Sequence, residues 1–155
     1  MDEDDSFCDI ELPSAMHIYA QQGTTAYAST NGYISILSGS SQYQAMALPD
    51  AHIPNNTVAP FLDDLYVVGE SNPQQGIFYQ YNAALSNFTF EYYVGRNGTN
   101  QTFHFTVDYN FATPGVFVYT YYQTGGAGDY GTHASVGIQG SKFNKNLYRA
   151  ARSNS

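Results

Sequence analysis

With 155 residues, the chain has the length of one domain and is short for two. Charged residues make up 12% of it and hydrophobic residues 43%, a balance that excludes intrinsic disorder. Five Lys and Arg face 13 Asp and Glu, for a net charge of −8, so no basic stripe exists to follow a nucleic-acid backbone or an anionic bilayer.

The acidic residues 1–6 are expected to fray, as are residues 151–155. Period-two alternation then recurs along the chain, broken by Gly, Asn and Pro every ten residues or so. A short strand is predicted near 16–20 and another at 25–28. Asn31-Gly32 turns the chain into a third at 33–37. Residues 39–44 read as a polar loop. Residues 45–58, with Pro49 and Pro54, read as an irregular crossing whose length suits a Greek-key connection between two sheets. Strands resume at 64–68 and 76–81, joined by a loop over 69–75.

The strongest hairpin follows. Phe88, Phe90, Tyr92 and Val94 alternate with Thr89, Glu91 and Tyr93. After Asn97-Gly98, Phe103, Phe105, Val107 and Tyr109 alternate with His104, Thr106 and Asp108. Pro114-Gly115 leads into a strand at 116–122, a Gly-rich loop covers 125–128, and late strands are expected at 134–139 and 146–150. The fold class is therefore all-β: one antiparallel β-sandwich of jelly-roll or Greek-key type over residues 1–155.

Four sequons, at Asn55, Asn87, Asn97 and Asn100, point to a secreted or cell-surface glycoprotein. Residues 1–5 carry no basic or apolar leader, so the chain is expected to be a module of a longer secreted precursor. No apolar run approaches the ~18 residues needed to span a bilayer, which argues against membrane insertion. Cys8 is the single cysteine. It excludes an internal disulfide and leaves two options open, a bridge to a partner outside this segment or a buried thiol.

Several phrases occur in a specific order. Ser29-Thr30-Asn31-Gly32-Tyr33-Ile34-Ser35 is followed by Ala59-Pro60-Phe61-Leu62-Asp63-Asp64-Leu65 and Gly76-Ile77-Phe78-Tyr79-Gln80. Phe88-Thr89-Phe90-Glu91-Tyr92 and Ala134-Ser135-Val136-Gly137-Ile138-Gln139 complete the series. The order resembles extracellular β-sandwich modules of fungal and bacterial secreted proteins, with the pattern S-x-N-G, APFWDDL, VGIQ. More distantly, it resembles nidogen-like domains. The chain departs from the pattern at Leu62, and at Tyr92 or Tyr93, where the family has Trp. The resemblance implies an adhesive or accessory module of a surface protein and carries over no catalytic residues.

Asp63-Asp64 is the sharpest candidate for chemistry. Adjacent carboxylates can offer hard oxygens to Ca²⁺, which takes six to eight. Asp50, Asn55, Asn56, Asn72 and Asp129 would add more oxygens if the fold gathers them. The competing assignment makes one Asp a turn cap and leaves the other in solvent. His17, His52, His104 and His133 lack metal-ligand spacing. Glu91 and Asp108 share a face on adjacent strands and could serve glycoside hydrolysis in a cleft, or be two solvated acids. The tyrosines, Tyr93 and Tyr122 among them, could form a platform on which sugar rings stack, or could simply fill the core.

The functional expectation is a non-enzymatic recognition or adhesion module that binds cell-surface or cell-wall carbohydrate, with Ca²⁺ as a candidate cofactor. Its ligand residues would be Asp63, Asp64, Asn72, Asp129, Tyr93 and Tyr122. Loops before Asp63, at 69–75 and at 125–133 are expected to wall the pocket. A protein-interaction module without a small ligand, and a glycan-active enzyme, are the alternatives.

Overall fold

The computed structural model describes residues 2–70, 72–126, 133–142 and 145–151. They form two antiparallel sheets packed face to face, with no helix among the described residues. In chain order the strands are β1 (Glu3–Asp4), β2 (Phe7–Ile18), β3 (Gln21–Ser29), β4 (Tyr33–Ser35), β5 (Thr57–Leu62) and β6 (Leu65–Val67). They continue as β7 (Gly76–Asn82), β8 (Asn87–Arg96), β9 (Thr102–Asn110), β10 (Phe117–Thr124), β11 (Ser135–Lys142) and β12 (Lys145–Ala151).

The first sheet runs β1-β6-β8-β9-β10, and β7 lies in line with β6 along the same edge of β8. The second runs β12-β11-β5-β4-β3-β2. The expected sandwich is therefore present. Its core follows from the alternation of the hairpin. Phe88, Phe90, Tyr92 and Val94 of β8 and Phe103, Phe105, Val107 and Tyr109 of β9 are all buried against Ile10, Met16, Ile18, Ala26, Ile34 and Val58 of the second sheet. Each inward side chain removes apolar surface from water at roughly 25 cal/mol per Å².

Three expectations change. Residues 45–58 do not cross between sheets, because β4 and β5 are antiparallel neighbours in one sheet. The long segment instead lies over the outer face of that sheet, where Leu48 and Ile53 pack on Tyr33, Ala59 and Leu62. Gln139 fastens it by accepting the Asp50 amide at 2.8 Å and donating to the Asp50 and Pro54 carbonyls. This cover explains why every residue of β5 is buried and why β5 shows no alternation.

The chain changes sheets instead at Asp63-Asp64, between β5 and β6. The short strand predicted near 16–20 is the end of the longer β2, whose alternation is hidden by a register break between Glu11 and Met16 around Pro13. The expected fraying of residues 1–6 does not extend to Glu3 and Asp4, which pair with Val67 and Tyr66. Residues 152–155 lie outside the described residues.

Candidate functional site

Four of the six predicted ligand residues fall in two places, Asp63 with Asp64 and Tyr93 with Tyr122. The first is the crossing between the sheets. Asn31 and Gly32 build it. Gly32 has φ +74°, and a Cβ there would sit 2.0 Å from the Phe61 carbonyl oxygen, so only glycine fits. Asn31 is buried and its Oδ1 accepts the Leu65 amide at 3.0 Å, while its Nδ2 donates to Asp5 Oδ1 at 3.0 Å. One side chain thus joins the N-terminal segment to the start of β6.

The two adjacent aspartates diverge here. Asp63 is buried. Its Oδ1 accepts the Asp64 amide at 2.9 Å, and its Oδ2 accepts Arg96 Nε at 2.9 Å and also Arg96 Nη2. Both oxygens of Asp63 are therefore committed to structural bonds, which matches the turn-cap assignment. Asp64 points the other way. Its carboxylate oxygen lies with those of Asp4 and Asp5, all within 4.8 Å of one another. Partial burial raises the Asp64 pKa above the usual carboxylate value, and the charges of Asp4, Asp5 and Asp63 raise it further against a lowering hydrogen bond from Asn97. Asp4 is shifted upward as well, by burial and then by Asp5. Three hard oxygens fall short of a Ca²⁺ shell, so water or backbone carbonyls would have to supply the remainder.

The second place is the outer face of the first sheet. Inward placement of the aromatic set leaves Thr89, Glu91 and Tyr93 of β8, and His104, Thr106 and Asp108 of β9, on the opposite face. Register sets Tyr93 opposite His104 and Phe78 of β7 opposite Glu91. On the other flank, β10 breaks register between Tyr121 and Gln123. Alternation along β10 keeps Tyr121 on the core side, where it donates to the Pro60 carbonyl, and turns Tyr122 outward at the bulge. The rings of Tyr93 and His104 then meet edge-on at 5.5 Å, and those of His104 and Tyr122 lie 4.7 Å apart. His104 Nε2 is 2.7 Å from Glu91 Oε1. Gln74, Phe78, Glu91, Tyr93 and His104 line a shallow depression of about 470 Å³. Tyr122 is 62% exposed and Phe78 47%.

Of the predicted residues, Tyr93 and Tyr122 are brought together, through a histidine that spacing alone had not singled out. His104 was legible only through register, once the Asn97-Gly98 turn sets it opposite Tyr93. Of the loop at 69–75, Gln74 reaches the depression, whereas Asn72 folds back to accept the Gln74 amide at 3.3 Å. Asp129 lies outside the described residues, as does most of the loop at 125–133.

Glu91 and Asp108 do not act as a pair. Glu91 is engaged by His104, and Asp108 accepts from Asn87 and Thr89. Asp50 is held in the segment covering the second sheet, next to His52 at 2.8 Å. Among the sequons, Asn55, Asn97 and Asn100 are exposed, the last two at the β8–β9 tip, while Asn87 is tied into the sheet by its bond to Asp108.

A family model described as NIDO related matches residues 1–155. The chain belongs to this nidogen-related family. Its members are non-catalytic modules associated with extracellular protein interaction. No curated protein and no solved structure gives a significant match. The nidogen-like part of the resemblance is thus established over the whole chain. In this member, Leu62 sits in the apolar cluster under the covering segment and Tyr92 sits in the core.

Proposed function

We propose that this nidogen-related domain is an extracellular recognition module that binds carbohydrate on the outer aromatic face of its first sheet. The observation that supports this reading is the row Tyr93–His104–Tyr122, whose first two members line one depression with Phe78, Glu91 and Gln74. Exposed rings give the flat face of a sugar a stacking surface. A carboxylate and an amide beside them give its hydroxyl groups an acceptor and a donor. The sequons at Asn55, Asn97 and Asn100 are exposed, which fits secretion as a glycoprotein. Calcium enters the reading through Asp4, Asp5 and Asp64, with Asp63 kept for the fold. Protein interaction without a small ligand is the second reading, and it is the one the family itself favours.

Binding to an array of cell-wall and host glycans tests the first reading. Tyr93→Ala and Tyr122→Ala should each weaken a positive signal about threefold to tenfold, the scale of one stacked ring. An empty array would leave protein interaction as the function. Turnover of a polysaccharide that disappears in Glu91→Gln would overturn the non-enzymatic assignment.

A further inference from the structure

Edge strands expose a row of unpaired N–H and C=O groups, and proteins blunt them with charge, proline, bulges or shortness. The edges here follow that rule with one exception. β2 carries Asp9, Glu11 and Pro13 and breaks register. β10 is bulged, β12 carries Lys145 and Arg149, and β1 has two residues, both acidic. β7 has none of these devices. Its seven residues are uncharged and pair with β8 without interruption from Gly76↔Tyr93 to Asn82↔Asn87. Among the described residues no strand pairs with its other edge.

The space beside β7 has a shape. β1 lies outside β6, and β6 is in line with β7, so a strand laid along β7 would continue the line of β1. At that end a cavity of about 370 Å³ opens between the edges of the two sheets. Phe7, Cys8, Val67 and Ile77 contribute to its apolar lining, and Glu3 to its polar side. Further along, Tyr79 and Tyr81 lie on the same side of β7 as Ile77 and stack on Phe88 at 5.8 and 6.3 Å. Asp2 and Glu70 adjoin Glu3, since the Glu70 amide donates to Asp2 Oδ1 at 3.0 Å.

We propose that the β7 edge is a strand-addition site for an extended peptide segment of a partner protein. The segment hydrogen-bonds along β7, puts an apolar side chain into the Phe7–Cys8–Val67–Ile77 cavity, and sets a basic residue against Glu3 and its acidic neighbours. Main-chain bonds supply affinity in this mode and the side-chain pocket supplies selectivity. Charge decides the occupant. A second copy would present another β7 with no basic residue, on a chain of net charge −8. The site is the backbone edge of β7, whose Phe78 also borders the aromatic depression, and it does not depend on carbohydrate binding.

The test is selection of a displayed library of extended nine-residue peptides on the intact chain. Enriched peptides should alternate apolar residues and carry Lys or Arg at a fixed end. Bound as synthetic peptides, they should slow hydrogen exchange at the β7 amides that point away from β8 and slow alkylation of Cys8 by iodoacetamide. Tyr79→Lys puts a charge on an exposed edge position and should weaken binding at least about tenfold with little change in Tm. Glu3→Gln should weaken peptides with the basic residue but not their Gln counterparts, and Tyr93→Ala should leave peptide binding unchanged. Absence of enrichment would overturn the proposal, as would binding that survives Tyr79→Lys. A homodimer that forms through β7 and is lost in Tyr79→Lys would overturn the peptide occupant.

Discussion

Arg96 and Asp63 form a largely buried ion pair where the chain passes from one sheet to the other, with Arg96 Nε 2.9 Å from Asp63 Oδ2 and the guanidinium 4.9 Å above the Phe103 ring. Burying both charges is costly, but removing one partner costs more, because the other is left desolvated. Asp63→Ala should therefore lose about 3 kcal/mol in urea unfolding. Asp64→Ala, one residue away on the outside, should lose far less. Equal losses would show that the pair does not hold the crossing.

The Asp4–Asp5–Asp64 cluster has the opposite sign. Asp4 and Asp64 have folded pKa values raised above the unfolded value of 3.8, so the folded state binds more protons in the window just above it. Stability should rise as pH falls from neutrality through that window, and the gain should be complete below about pH 4. Asp64→Asn should raise Tm at pH 7 by about 2 °C, a surface-charge effect, and change nothing below about pH 4.

The same cluster decides the calcium question. If the cation binds there, added Ca²⁺ should raise Tm in the parent chain, but much less in Asp64→Asn. Equal Tm in calcium and in chelator would remove calcium from the proposed function.

Tyrosine hydroxyl groups of the first sheet bond to the backbone of the second. Tyr109 Oη accepts the His17 amide at 2.9 Å, Tyr92 Oη donates to the Tyr33 carbonyl at 3.2 Å, and Tyr119 Oη donates to that of Gly137 at 3.0 Å. Tyr109→Phe leaves the His17 amide without this acceptor and should cost about 1 to 2 kcal/mol.

Burial raises the pKa of Tyr92, Tyr119 and Tyr121 above the ordinary value of 10, Tyr121 to about 12. Their stabilising contribution is fully present below pH 10 and is lost as pH rises through the folded values. Tm should be level up to about pH 10 and then fall, together with a late, cooperative rise in tyrosinate absorbance. A tyrosinate titration complete near pH 10 with Tm unchanged would contradict this.

Two turn glycines with similar positive φ should respond differently to alanine. Gly98 has φ +70° with open space around it, so Gly98→Ala should cost only the ~1 to 2 kcal/mol of a left-handed residue. Gly32→Ala adds a clash with the Phe61 carbonyl and should prevent recovery of folded protein. Comparable unfolding midpoints for the two variants would remove the close approach as the reason for glycine at position 32.

Local pattern was enough to predict the β8–β9 hairpin, its exposed tip at Asn97-Gly98, and the split of its residues into a core face and an outer face, because alternation and turn chemistry are written within a few residues. The likeness to nidogen-like domains was also legible, in phrases whose physical role lies at the crossing: Asn31, Gly32 and Asp63 bond to one another's segments there. Tertiary structure decided everything that depends on residues far apart in sequence. Sequence left open whether Asp63 and Asp64 act together or split into a turn cap and an outer carboxylate, until Arg96 claimed one and Asp4 and Asp5 surrounded the other. The segment at 45–58 read as a crossing because its length is compatible with one, while its burial on Tyr33, Ala59 and Leu62 depends on which face of the second sheet is left uncovered. Tyr93, His104 and Tyr122 become neighbours through the register of three paired strands, which the local composition of those strands does not set.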